Sequence, residues 1–406
     1  MLKKVTPIII LGAIFLIGTY YKYSRDNLFY PTSDLDEYWK KPVPLQGEAS
    51  LSYKPVERSL MPKDCGSCHK QQHADWMNSR HAKAMGSGVI GQTLMMDPSN
   101  ASSCYRCHAP LQEQHEWIKE TKWISSSWKK NTQFNSKLQS QGLTCVACHV
   151  RSHKRYGPGQ LSHMTKLLPK EAHGGFIRKD FFEKSEFCMG CHQFKSTEYK
   201  LNGKLLENTY QEWKESVYAT SNVTCQNCHM PGRQHLWQGI HRKEMVQRAL
   251  DIKVDVGKTP YEVHERTNIK VTIKNVGAGH YVPTYVTPKI DVLMNLIDEN
   301  GNRLSKTKQT FTIGRYISLN LEKEYFDTRI PPQKEIEIVY QKKISRGNLK
   351  FEVRVIVYPD DFYFRFFKAK LESDNNVAQR EHIKKALDDS IKSAYELFSG
   401  VYSLQN

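Results

Sequence analysis

The rhythm of apolar and polar positions changes several times along the chain. Val5 to Tyr21 is a run of seventeen uncharged residues bounded by Lys3, Lys4 and Lys22, the short end of what spans a bilayer as a helix. Residues 25–60 are polar, lack a period and contain Pro31, Pro42, Pro44 and Pro55, which predicts an extended tether. Residues 61–245 hold only short apolar stretches and predict short helices. From Ala249 the period becomes two. Leu250, Ile252, Val254 and Val256 alternate with polar residues, as do Ile269, Val271 and Ile273, and then Ile290, Val292, Met294 and Leu296. Asn300-Gly301 supplies a hairpin turn suited to positive φ. Ile336, Ile338, Leu349, Phe351, Val353 and Val355 continue the series. Roughly seven antiparallel strands over residues 246–372 predict an immunoglobulin-like sandwich. In 373–406, Ile383, Leu387, Ile391, Tyr395 and Phe398 recur at helical spacing, which predicts an amphipathic helix. It would dock on the body, or alternatively on a partner or second copy. The expected fold class is α+β multidomain.

The apolar run at 1–24 has two readings. A cleaved signal peptide shares its charged start and apolar middle. However, no A-x-A-like site follows and no cysteine stands ready for a lipid anchor, which favours a retained single-pass anchor. Tyr20, Tyr21 and Tyr23 would then sit at the outer interface. Either reading exports the rest of the chain.

The chain has 406 residues, of which 39% are hydrophobic, and Lys plus Arg exceed Asp plus Glu by 17. The charge does not point to nucleic acid, because no recognised binding motif accompanies it. Anionic lipid or an acidic redox partner fits better.

The low apolar fraction makes sense once the cysteines are read. All ten fall in five pentapeptides: Cys65-Gly-Ser-Cys68-His69, Cys104-Tyr-Arg-Cys107-His108, Cys145-Val-Ala-Cys148-His149, Cys188-Met-Gly-Cys191-His192 and Cys225-Gln-Asn-Cys228-His229. C-x-x-C-H is the attachment signal of c-type haem. Two thiols three positions apart form thioethers to one porphyrin, and the next imidazole binds the iron. Zinc or dithiol chemistry would not require a histidine after every pair. First cysteines lie 39, 41, 43 and 37 residues apart, a rough internal repeat. Five covalent haems in residues 61–245 leave too little chain to wrap each ring, so the rings must pack together and act as the core. Covalent haem attachment outside the cytoplasm agrees with export.

His69, His108, His149, His192 and His229 are thus the expected proximal ligands, and eleven histidines remain. A distal ligand approaches the opposite face of the ring, so it comes from elsewhere in the chain. His81, His153, His235 and His241 are expected in that role. His173 and His280 are further candidates, the latter in the glycine-flanked loop Gly277-Ala-Gly279-His280-Tyr-Val-Pro283-Thr284. A hydrogen-bonded loop histidine is the alternative for each. His73, His115, His163, His264 and His382 are expected to be structural or exposed.

Cys65-x-x-Cys68-His69 followed by Trp76-x-x-Ser79-x-His81-Ala82 resembles the cytochrome c-554/c-prime multihaem family. The strings Cys188 to Gln193 and Cys225 to Pro231 are similar to later motifs of its relatives, as is the Gly279 to Thr284 loop of an appended β-domain. The resemblance spans roughly residues 62–358. It implies periplasmic electron transfer through mostly bis-histidine haems, with His81 as a distal ligand. Cytochrome c nitrite reductases carry a lysine in place of one motif histidine, and that substitution is absent here.

The expected function is transfer of electrons between a quinol-linked donor and a periplasmic acceptor, on the periplasmic side of a bacterial inner membrane. Donor and acceptor would be redox partner proteins. The alternative is an oxidoreductase in which one haem lacks a distal ligand and acts on a small nitrogen or sulfur oxy-species.

Overall fold

The computed structural model describes residues 34–94, 96–122, 125–159, 172–373 and 377–405. The apolar run Val5 to Tyr21 lies outside them. Among the described residues no helix is long and apolar enough to cross a membrane. The chain divides into two compact units, residues 1–40 and 41–406. The first contributes a short helix, Asp34–Tyr38, with acidic residues in its first turn.

In the second unit, the described residues of 41–249 fold into short helices and small ribbons. The longest described helix of this part, Pro98–His108, starts where the Asp97 side chain accepts from Ser99 N at 2.9 Å and Asn100 N at 3.2 Å. Pro98 occupies the first helical position, where a missing N–H costs nothing. The ribbons are β1 (Trp117–Lys122) with β2 (Ser125–Lys130), β3 (Val150–Arg151) with β4 (Lys154–Gly157) and β5 (Ile177–Arg178), and β6 (Lys200–Leu201) with β7 (Lys204–Leu205).

The expected tether is not free from residue 41 onward. Val43 is buried, its N–H donates to Pro110 O at 2.7 Å, and its carbonyl accepts from Gln112 N at 2.9 Å. Pro55 does not extend the segment but opens a short helix, Pro55–Arg58, while residues 44–50 are irregular. Extended backbone leaves its polar groups unpaired, and those of Val43 pair with the 110–112 loop instead of water.

The period-two region becomes two antiparallel sheets. The smaller has the order β13-β9-β8, from β8 (Leu250–Asp255), β9 (Ile269–Asn275) and β13 (Glu335–Tyr340). The larger has the order β12-β11-β10-β14-β15. Its strands are β10 (Lys289–Ile297), β11 (Gln309–Ile317), β12 (Glu324–Asp327), β14 (Lys350–Tyr358) and β15 (Tyr395–Ser403). Register follows the apolar alternation. Ile290 faces Ile313 and Val357 across its neighbours, and Val292 faces Phe311 and Val355. Ile269, Val271 and Ile273 of one sheet and Ile290, Val292, Met294, Val353 and Val355 of the other share one core, all shielded from solvent. Burying each contributes about 1.5–3 kcal/mol.

The end of the chain departs from the expected single helix. Asp361–Ser373 and Val377–Lys392 are helices, and the chain then enters β15, which pairs with β14. Tyr395 and Phe398 continue the helical spacing of Ile383, Leu387 and Ile391 only by coincidence. The stretch Tyr395 to Ser403 is aromatic and contains Val401 and Gly400, a poor helix. An open strand edge and a place in the core for Leu397 decide its state. Ile383 and Ala386 pack with Phe367, while Ile391 is exposed.

The sandwich is joined to the haem-motif half by buried polar contacts. Arg315, 2% exposed, donates to Leu205 O at 2.6 Å, Leu201 O at 2.8 Å and Lys204 O at 3.1 Å, and pairs with Glu324. Arg329 pairs with Glu212 at 2.9 Å and Lys204 with Asp327 at 2.6 Å.

Candidate haem-binding site

Four motifs each lie within one helix that ends at the motif histidine: Pro98–His108, Cys145–His149, Glu186–His192 and Cys225–His229. At helical pitch the two cysteines are neighbours and the histidine stands one turn from the first, so three donors converge on one face. The first motif instead bridges two helices, Pro62–Gly66 and Lys70–Met77, with His69 at the start of the second.

None of the ten cysteines is joined in a disulfide, and cysteines of different motifs approach one another. Cys65 faces Cys145, Cys107 faces Cys191, and Cys188 faces Cys225. The Lys41 ammonium lies 3.3 Å from Cys107 Sγ and 3.2 Å from Cys191 Sγ, and donates to Gly190 O. The attachment points of different motifs are therefore adjacent, as ring-against-ring packing requires.

The histidines sort by which ring nitrogen is engaged. Nδ1 of His108 lies 2.9 Å from Ala84 O, that of His149 2.8 Å from Tyr156 O, and that of His229 2.6 Å from Gln238 O. A carbonyl only accepts, so the proton sits on Nδ1 and Nε2 keeps its lone pair for a metal. His235 and His280 share the arrangement, with Nδ1 at 3.0 Å from Arg233 O and 2.9 Å from Tyr281 O. Burial pushes His81 down to about 3, and His149, His192 and His229 to about 4. The neutral imidazole that results is the ligating form.

Four of the motif histidines face a second imidazole. Ring centres are 6.0 Å apart for His69 and His173, and 6.4 Å for His192 and His81. They are 6.1 Å apart for His149 and His235, and 6.3 Å for His229 and His280. An imidazole nitrogen binds such a metal at about 2.0 Å and its ring centre lies roughly 1.1 Å further out, so two imidazoles trans across one iron have centres about 6.2 Å apart. The four distances fit haem iron between each pair. Contact stacking would bring the rings closer.

His153 and His241 are not brought opposite a motif histidine. His153 Nε2 lies 3.0 Å from Gly47 O, and His241 Nε2 lies 3.1 Å from both oxygens of Asp360. Each ring thus has its Nε2 engaged with an acceptor, and Nδ1 of His153 is buried with no hydrogen-bond partner among the described residues. His115 is likewise held through Nε2 by Ala109 O at 2.9 Å. His163 lies outside the described residues. Among the described residues no imidazole stands at the trans spacing from His108.

The family profile for cytochrome c554 and c-prime matches residues 64–150, the stretch that holds the first three motifs. The chain is a multihaem c-type cytochrome. Cytochrome c-552 of Aliarcobacter butzleri (strain RM4018) is 23% identical over 252 residues, 58% of this chain and 46% of that protein. The cytochrome thus spans about half the length of the curated relative it matches. Its fold is similar to that of a penta-heme cytochrome c552 from Thermochromatium tepidum, with a TM-score of 0.60 at 17% identity, covering 86% of this chain and 100% of the other. The five motifs of the cytochrome accommodate five covalently attached haem c groups.

Two features of the site have no signature in the sequence. Lys41 precedes the first motif by more than twenty residues, and nothing in its surroundings marks it as a bridge between the second and fourth. The carbonyls that set each Nδ1 proton come from loops whose paths only the folded chain defines.

Proposed function

We propose that this cytochrome is an electron-transfer protein at the periplasmic face of a bacterial inner membrane. It would carry electrons from a quinol-linked donor to a periplasmic acceptor, with Val5 to Tyr21 as its tether. Bound haem supplies the one-electron iron couple, and the chain's residues hold and tune it. In this reading His173, His235, His81 and His280 are the distal ligands opposite His69, His149, His192 and His229. The four imidazole pairs carry the proposal. An iron held on both faces by neutral imidazole has no free coordination site for a substrate, so electron exchange is the chemistry left to it. The Nδ1–carbonyl bonds fix ring orientation and raise the basicity of Nε2. Lys41 places a positive charge beside two attachment points, which favours the reduced form of both haems.

The test is the spin state of the purified haem-loaded protein. EPR and visible spectra are expected to show at least four low-spin haems per chain. Two or more high-spin haems would overturn the ligand assignment.

The His108 motif supports a second reading, in which one haem has an open face and the protein acts on a small nitrogen or sulfur oxy-species. Titration of the reduced protein with carbon monoxide then gives one binding event per chain. No binding leaves the pure electron carrier.

A further inference from the structure

We infer that the ribbon β1–β2 is a lipid-docking element, one face of which, built from Trp117, Lys119, Trp128 and Lys130, seats on an anionic membrane surface. The inference rests on the reading of Val5 to Tyr21 as a tether and adds the surface through which the tethered body settles.

The register of the ribbon builds the face. Trp117 stands opposite Lys130, and Lys119 opposite Trp128. Directly paired residues share a face, and alternate residues of a strand return to it, so the four positions form one checkered patch of indole and ammonium. Trp117 is 38% exposed and Trp128 36%, and both lysines are exposed as well. Glu120, the one carboxylate in the two strands, belongs to the other face and pairs there with Lys129 at 2.7 Å. Glu116, just before β1, lies 3.7 Å from Lys130 in an exposed pair, too weak a contact to hold that ammonium back.

The ribbon does not cover this face itself. Among the described residues β1 and β2 form a sheet of two strands. Such a ribbon is marginal in water and gains stability when a face is covered. Two indoles exposed side by side mark a docking surface.

Chemistry and attachment both select lipid. Tryptophan suits the membrane interface, where its ring is half apolar and its N–H stays wet, and lysine pairs with anionic headgroups. Protein interfaces also favour tryptophan but are depleted in lysine. The root of the ribbon is tied to the point where the tether ends. Asn131 follows β2, and its side chain donates to Gln112 O at 2.8 Å and His115 O at 2.9 Å, while its N–H donates to Glu116 O at 2.8 Å. Gln112 N in turn donates to Val43 O at 2.9 Å. Fully extended, the chain from Lys22 to Val43 spans at most about 70 Å. The tether therefore leads to the root of the ribbon, and the basic excess of the chain favours the same anionic surface.

The test uses the haem-loaded full chain in lipid nanodiscs, read by amide hydrogen exchange. Discs of phosphatidylcholine with phosphatidylglycerol are compared with pure phosphatidylcholine discs and with detergent. Exchange of residues 117–130 is expected to be slowest in the anionic discs and to quicken there in high salt. The ratio of docked to free ribbon should fall about fivefold for each of Lys119→Gln and Lys130→Gln, the worth of one lysine near an anionic surface. Trp117→Ala with Trp128→Ala should lose protection in both kinds of disc. Unchanged haem absorption shows that a variant is folded, and the wild-type comparison needs no variant. Equal exchange of 117–130 in anionic discs and in detergent overturns the inference. So does protection that the four replacements leave intact. Slow exchange at residues 5–21 reports the tether separately. If the chain leaves the discs, the tether reading falls, and flotation with phosphatidylglycerol vesicles decides on the ribbon. Binding that the replacements abolish supports the face, and no binding overturns it. Slower reduction of the lysine variants by flavodoxin, without lipid protection in the wild type, assigns the face to an acidic protein partner and also overturns it.

Discussion

At the scale of single residues, the site depends on which nitrogen of each imidazole is already engaged. His280 and His241 were both candidates, and both are half-buried ring systems near the junction of the two halves. His280 turns Nδ1 to a carbonyl and places its ring 6.3 Å from His229. His241 gives Nε2 to a carboxylate. The expected outcome of His280→Ala is a protein with five attached haems, since attachment depends on cysteines, in which one low-spin haem has become high-spin. His241→Ala should leave every spin state as it was. EPR of the two variants side by side checks both, and a His280→Ala protein with unchanged spin states removes His280 from the ligand set.

At the scale of elements, β15 and Arg315 show how the sandwich is completed and held. β15 is the last strand of the large sheet, and Leu397 and Leu404 are buried in its core. A stop after Lys392 therefore exposes the edge of β14 and opens the core, and it is expected to yield an unstable, aggregating chain. A surface-docked helix at 393–405 would instead predict a soluble product with normal thermal unfolding. Arg315→Ala removes the donor to the carbonyls of Leu201, Lys204 and Leu205, while the Glu324 carboxylate keeps Lys204 at 2.7 Å and Asn202 at 3.1 Å. The expected loss is about 1–3 kcal/mol, the cost of leaving buried acceptors without a donor. It is measurable by denaturant unfolding with the haem spectrum as one probe and tryptophan fluorescence as the other.

At the scale of the whole molecule, the excess of 17 basic residues and the apolar run before residue 22 concern where the protein works. If that run is retained, the cytochrome should sediment with inner membranes and stay there through high-salt washing, because apolar burial is indifferent to screening. Replacing residues 1–24 with a cleavable signal should release a soluble cytochrome of unchanged absorption. Recovery of the native protein in the soluble periplasm, starting near residue 25, would mean that the run is a signal.

What the sequence determined by itself is the part that is local in the chain. Five C-x-x-C-H pentapeptides that use all ten cysteines specify covalent haem, and alternation of period two specifies strands that bury one face. The imidazoles that face the motif histidines are not local. His173, His235, His81 and His280 stand 104, 86, 111 and 51 residues from the motif histidines they face. His153 sits four residues beyond its nearest motif and His241 twelve, yet their Nε2 atoms are already bonded. Likewise, Tyr395 and Phe398 fit a helix by spacing, and only the open edge of β14 made them a strand. Sequence distance carries no information about which carbonyl, carboxylate or strand edge the folded chain brings near. The tertiary structure alone decided those partners.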